Sequence, residues 1–105
     1  MPAWSGSKQT TNDVFEWDPE KAKINRKRHG ISFLDATGVF DDPEALGMDE
    51  QVVEGEERDV ILGLDNIGRS LVVVYTQRGD KIRIISARKA TKKESKEYES
   101  RIRFQ

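Results

Sequence analysis

Five consecutive apolar residues, Leu71-Val72-Val73-Val74-Tyr75, restrict what this chain can fold into more than any other stretch. A strand sends successive side chains to opposite faces, so a run this apolar needs cover on both sides and belongs in the middle of a sheet. Asn66-Ile67-Gly68 before it and Arg78-Gly79-Asp80 after it carry the residues that tight turns require. The spacing therefore predicts an antiparallel meander of three strands, Asp59 to Asp65, Arg69 to Gln77 and Lys81 to Arg88. The outer two alternate more clearly between apolar and polar. In the last, Arg83 breaks the run Ile82-Arg83-Ile84-Ile85, and its guanidinium must reach solvent, a carboxylate or an anionic ligand, because an unpaired buried charge is costly.

Helical signals bracket this meander. Asp18 can accept from the free amides of a first turn, Pro19 suits the first helical position, and Gly30 suits the left-handed conformation that ends a helix, so a helix is predicted over Pro19 to His29. Before it, Val14-Phe15-Glu16-Trp17 reads as a short strand. After it, Ser32 followed by Asp35 resembles a capping box and opens a second helix through Phe33, Leu34, Ala36, Val39 and Phe40, ended by Asp41-Asp42-Pro43. Phe33, Ala36, Thr37 and Phe40 give its core-facing stripe. Ala45 to Met48 is a weak strand candidate, and Asp49 to Glu57 reads as an exposed acidic loop with no fixed spacing for Mg²⁺ ligands. Thr91 and Glu94 form a further capping box, starting a C-terminal helix through Tyr98 and Ile102. Strand, two helices, meander and helix define an α+β fold.

At 105 residues the chain fits one domain. Residues 1–12 are polar and aperiodic and read as a flexible N-terminal extension, leaving 13–105 as the domain. With no cysteine and one histidine, neither a disulfide, thiolate chemistry nor a His-rich metal site is expected, so no metal or other cofactor is assigned. No apolar stretch approaches the ~20 residues needed to cross a bilayer, and Met1 to Lys8 lacks the apolar core of a signal peptide. A soluble, intracellular protein without a membrane partner is expected. The net charge of −1 argues against a general nucleic-acid binder, but it averages over blocks. Lys21 to Arg28 is basic, Asp35 to Asp59 is acidic with Arg58 as its only cation, and Arg78 to Arg103 is basic again. Basic blocks that meet in space would form a local positive surface.

The first helix carries the clearest candidate site. At ~100° per residue, Lys21, Asn25, Arg28 and His29 fall near one face, where an amine, an amide, a guanidinium and an imidazole project together as an anion site with an attached acid/base. The alternative is a solvated helix end whose cations interact with the macrodipole for ~0.3–1 kcal/mol each.

Several motifs together resemble a known family. They are Phe15-x-Trp17-Asp18-x-x-Lys21-x-x-x-Asn25-x-x-Arg28-His29-Gly30-Ile31-x-Phe33, the turn Val39-Phe40-Asp41-Asp42-Pro43, Gly55-Glu56-Glu57-Arg58, and Arg83-Ile84-Ile85-Ser86-Ala87-Arg88-x-Ala90-Thr91-x-x-Glu94-x-x-x-Tyr98. In combination they resemble the BrnT toxins of type II toxin–antitoxin systems, over nearly everything from Asp13 to Tyr98. The resemblance implies a RelE-like fold, a bacterial cytoplasmic location, ribonuclease activity that arrests translation, and neutralisation by BrnA. That antitoxin is a ribbon-helix-helix DNA-binding protein, through which alone this chain would reach DNA. The family often carries Lys where this chain has Arg28, which keeps the charge and alters hydrogen-bond geometry.

Cleaving RNA without a metal requires the 2′-hydroxyl deprotonated, the charge on phosphorus neutralised and the leaving 5′-oxygen protonated. His29 is the one side chain whose ordinary pKa, ~6.5, suits proton transfer near neutrality. Lys21, Arg83 and Arg88 are candidates to hold the scissile phosphate, and Tyr98 to stack on a base, donate a proton or simply pack. Asn25, Arg28 and Arg78 are expected to bind RNA. Two other functions fit the same residues: a non-enzymatic interaction module, and a ParE-like inhibitor of gyrase on the same fold.

Overall fold

The structure is a computed structural model that describes residues 14–53 and 55–103; the extension expected over 1–12 lies outside them. Five strands, β1 (Phe15–Glu16), β2 (Leu46–Val53), β3 (Glu56–Leu64), β4 (Ser70–Arg78) and β5 (Lys81–Lys89), form one sheet in the order β1-β5-β4-β3-β2. The apolar run lies on the central strand, and its alternation divides the core in two. Leu71 and Val73 pack with Phe15, Trp17, Ile31, Phe33, Ala36, Val39, Ile84 and Ala87 on the first face. Val72 packs with Val60, Leu62 and Tyr98 on the second, where Leu46, Met48 and Val74 add partly buried surface. Helix α1 (Pro19–His29) and the short α2 (Phe33–Ala36) serve the first face, and α3 (Lys92–Arg103) serves the second. The α+β expectation holds, and Gly68 (φ 85°) and Gly79 (φ 61°) take the left-handed conformations their turns need.

Two expected elements are corrected. The meander has four strands, because the chain expected to be a weak strand and an acidic loop is β2, running to Val53, with β3 starting at Glu56. Edge strands tolerate charged side chains, and a register shift between Met48 and Gln51 breaks the two-residue period that would have revealed it. The second helix is α-helical only over Phe33–Ala36 and continues as a 3₁₀ turn over Thr37–Asp41. The β3–β4 turn explains the tightening. Asn66 donates its backbone N–H to the Asp35 carbonyl (3.2 Å) and its side-chain amide to the Leu34 carbonyl (3.1 Å), while Thr37 Oγ1 also donates to Leu34 (2.7 Å). The carbonyls that an α-helix would extend from are thus engaged by other donors.

Gly38 sits where these two segments touch. A Cβ there would lie 2.5 Å from both the backbone N and Oδ1 of Asn66. Gly38→Ala is therefore expected to cost ~2 kcal/mol through forced separation of the turn from the 3₁₀ segment, read by urea denaturation.

Candidate active site

Helix α1 forms as its ends dictate. Asp18 Oδ1 accepts from the Glu20 amide at 2.9 Å, and Gly30 (φ 74°) returns its N–H to the Arg26 carbonyl. Its interior holds little apolar surface to bury, and what fastens it to the sheet is one polar residue. β1 pairs in parallel with β5 only at Ile82 and Arg83, and then the chain leaves the edge. Further along β5 the carboxamide of Asn25 replaces the missing strand. Its Oδ1 accepts from the Ala87 N–H (3.1 Å), and its Nδ2 donates to the Ala87 carbonyl (2.9 Å) and to the Ile31 carbonyl (3.1 Å). Asn25 is buried, so its place on the cationic face serves to join α1 to the sheet edge and leaves no amide group for a ligand.

Around that joint an open cleft of about 270 Å³ is lined by Lys21, Ile24, Asn25, Arg28 and His29 of α1 and by Ile85 and Ser86 of β5. The four α1 residues grouped by helical spacing do line one cleft. Lys21, Arg28 and His29 are exposed, and none pairs with a carboxylate among the described residues. Sequence reasoning missed Ile24, Ile85 and Ser86. The only hint was the pair Ile84-Ile85 inside an alternating strand: Ile84 opposes Tyr75 and Ser86 opposes Val74, so Ile85 is the extra residue of a bulge at the cleft wall.

The other four candidates lie on the opposite face. Val72 and Val74 mark that face, and by alternation Thr76 and Arg78 share it; their partners on β5 are Arg88 for Val72, Ser86 for Val74, Arg83 for Thr76 and Lys81 for Arg78. Ser86 reaches the cleft from the edge of β5, but Arg83, Arg88, Arg78 and Tyr98 are not among the residues that line it. Arg83 Nη1 donates to Glu16 Oε2 at 3.2 Å. Arg88 makes a forked pair with Glu94 (2.9 and 3.0 Å), which also completes the capping box by accepting from the Thr91 amide. Tyr98 is buried, and its hydroxyl donates to Asp42 Oδ2 at 2.6 Å. Both Arg88 and Tyr98 thus fasten α3 to the sheet.

These contacts give α3 a pH dependence. The Arg88 guanidinium, against opposing burial, holds the Glu94 carboxyl at about 2, down from 4.5. Burial pushes Asp42 up, but the Tyr98 hydroxyl and the amides of Leu64 and Glu44 together bring it below its ordinary value. Burial, then the Asp42 hydrogen bond, raises Tyr98 well above 10. For the depressed carboxyls the stabilisation is complete above their unfolded values and lost as pH falls through the folded ones; for Tyr98 it is complete below 10 and lost above it. The α3 amides are expected to exchange faster with solvent as pH drops from 4.5 toward 2, relative to those of β4, once intrinsic exchange rates are removed. Unchanged relative protection would show that α3 is held by apolar contact alone.

The chain matches the family model described as "Ribonuclease toxin, BrnT, of type II toxin-antitoxin system" over residues 17–94. Its fold is similar to that of the crystal structure of the Brucella abortus ribonuclease toxin BrnT, with a TM-score of 0.59 and 22% identity, covering 75% of this chain and 99% of that one. No curated protein gave a significant match.

Proposed function

Since the chain belongs to the BrnT family of ribonuclease toxins of type II toxin–antitoxin systems, we propose that it is a metal-independent endoribonuclease that arrests translation in the bacterial cytoplasm until a BrnA-like ribbon-helix-helix antitoxin neutralises it. The family implies an antitoxin partner; its ribbon-helix-helix type, and contact with DNA only through it, belong to this proposal, as does a toxin domain of RelE-like type spanning residues 13–105. The observation that carries the reading is the cleft, where one imidazole and two cations without carboxylate partners among the described residues face the same open volume.

In that cleft the 2′-oxygen of RNA attacks the adjacent phosphorus, the bond to the 5′-oxygen breaks, and a 2′,3′-cyclic phosphate remains. His29 exchanges a proton with one of the two oxygens and solvent water with the other, so that the 2′-hydroxyl loses a proton and the 5′-oxygen leaves as a hydroxyl. Lys21 and Arg28 neutralise the charge that grows on the phosphoryl oxygens, which is where oriented cations contribute most. Asn25 positions all three by fixing α1 on β5. Arg83 acts from the other face of the sheet, and Arg88 and Tyr98 act by holding α3.

Incubating the purified protein with RNA, with and without EDTA, tests this. Cleavage unaffected by chelator is expected. Intact RNA in both tubes would overturn it, and inhibition of gyrase supercoiling by the same sample would select the ParE-like reading in its place.

A further inference from the structure

Arg58, the lone cation of the acidic stretch, has no part in the cleft. Alternation along β3 decides where it points. Val60 packs on the α3 face, so Arg58, two residues earlier, shares that face while Glu57 and Asp59 project from the other. Asp59 opposes Tyr75, which sets Arg58 beside Thr76; Thr76 opposes Arg83, and Arg83 opposes Glu16. Arg58, Thr76, Arg83 and Glu16 therefore form one row across β3, β4, β5 and β1. Tyr98 of α3 packs with Leu62 and Val72, which are fully buried, but further along this face Val74 and Ser86 remain half-exposed.

The two guanidiniums of the row differ in their surroundings. Glu16 orients Arg83. Arg58 makes no ion pair with a described residue, and its Nε is enclosed without an acceptor. The enclosed Nε is out of a ligand's reach, but the guanidinium charge of this half-buried residue has no counter-ion among the described residues, and an anion beside it lowers that cost. Strands ~4.8 Å apart place the Cα atoms of Arg58 and Arg83 ~10 Å from each other, so two long side chains can meet on one phosphate. Thr76 is buried between them with its hydroxyl donated to the Glu57 carbonyl (3.2 Å), and forms the floor.

We propose that Arg58 and Arg83 form a two-guanidinium clamp for a phosphodiester of RNA, on the face of the sheet opposite α1. The identity of the ligand rests on the ribonuclease reading; the clamp itself rests on the row. Continuity with the cleft favours RNA. Ser86, which lines the cleft, stands three residues from Arg83 on β5, ~10 Å of strand, so a single RNA strand passing over the β5 edge reaches both places. Arg78 and Lys81, opposed at the end of this face, extend the same positive path.

The test is ¹⁵N NMR of the arginine Nε–H groups in the whole protein, titrated with a 2′-O-methyl RNA that cannot be cleaved and, separately, with inorganic phosphate. The Arg58 and Arg83 resonances are expected to move with both. Arg58→Gln should bind the RNA at least ~10-fold more weakly, with Arg58→Lys recovering part of the loss. An Arg58 resonance that stays fixed at saturating RNA would overturn the clamp, as would wild-type affinity in a folded Arg58→Gln variant. So would a response to an acidic peptide and not to RNA. A protein that cleaves no RNA while its Arg58 resonance still moves would lose the ribonuclease reading and keep the clamp.

Discussion

Purified His29→Gln is expected to melt close to the wild-type protein and to cleave RNA at least ~10²-fold more slowly. The two effects separate because of where the residue sits. His29 is exposed in the last turn of α1, and it forms no ion pair with a described residue. Removing its imidazole thus forfeits at most its interaction with the helix end, ~0.3–1 kcal/mol. A 10²-fold loss of rate corresponds to ~2.7 kcal/mol of barrier, more than that structural share can supply. Single-turnover cleavage and thermal melting on the same preparation distinguish the two roles, and a folded variant with the wild-type rate would remove His29 from the chemistry. Arg83→Ala should slow cleavage at sub-saturating RNA, because it removes charge from the path of the RNA while Glu16 stays behind to repel it.

What was legible in the sequence follows from which interactions are local. The ends of α1 are written in Asp18-Pro19 and Gly30, the start of α3 in Thr91 and Glu94, and the central strand in Leu71 to Tyr75; each is decided within a few residues, and each forms. Grouping Lys21, Asn25, Arg28 and His29 needed only the helical period, and all four line the cleft. The rest depended on contacts between distant segments. Tyr98 reaches Asp42 fifty-six residues away, and Asn66 reaches back to Leu34 across thirty-two. No local pattern marks either. Side-chain chemistry alone groups Arg83 and Arg88 with His29, yet which face of β5 they occupy is set by pairing with β4 and by the extra residue Ile85. Acidic side chains on an edge strand hid β2 in the same way, since their charge reads as a loop until a partner strand is known.

The residue that most changes meaning between sequence and structure is Asn25, and Asn25→Asp is expected to cost ~4 kcal/mol or more, a large part of a typical domain stability of ~5–15 kcal/mol. The substitution changes almost no volume, so packing cannot account for such a loss. It removes the Nδ2 donor shared between the Ile31 and Ala87 carbonyls and sets a carboxylate oxygen against both. Only the bond from the Ala87 amide survives. Two buried acceptors left unmatched cost ~1–3 kcal/mol each, and the buried charge adds to them. A protonated carboxyl restores one donor, so the variant should regain stability relative to wild type as pH is lowered, the sign expected of a carboxyl whose folded-state pKa lies above its unfolded one. Asn25→Ala, which lets water approach and adds no charge, should cost less. Urea denaturation of the three proteins at two pH values decides the matter. A penalty for Asn25→Asp below ~1 kcal/mol would mean that α1 is held by contacts other than this side chain. If the penalty is as large as expected, a single carboxamide standing in for a strand fixes the helix that carries Lys21, Arg28 and His29, and loosening it should lower cleavage in the fraction that remains folded.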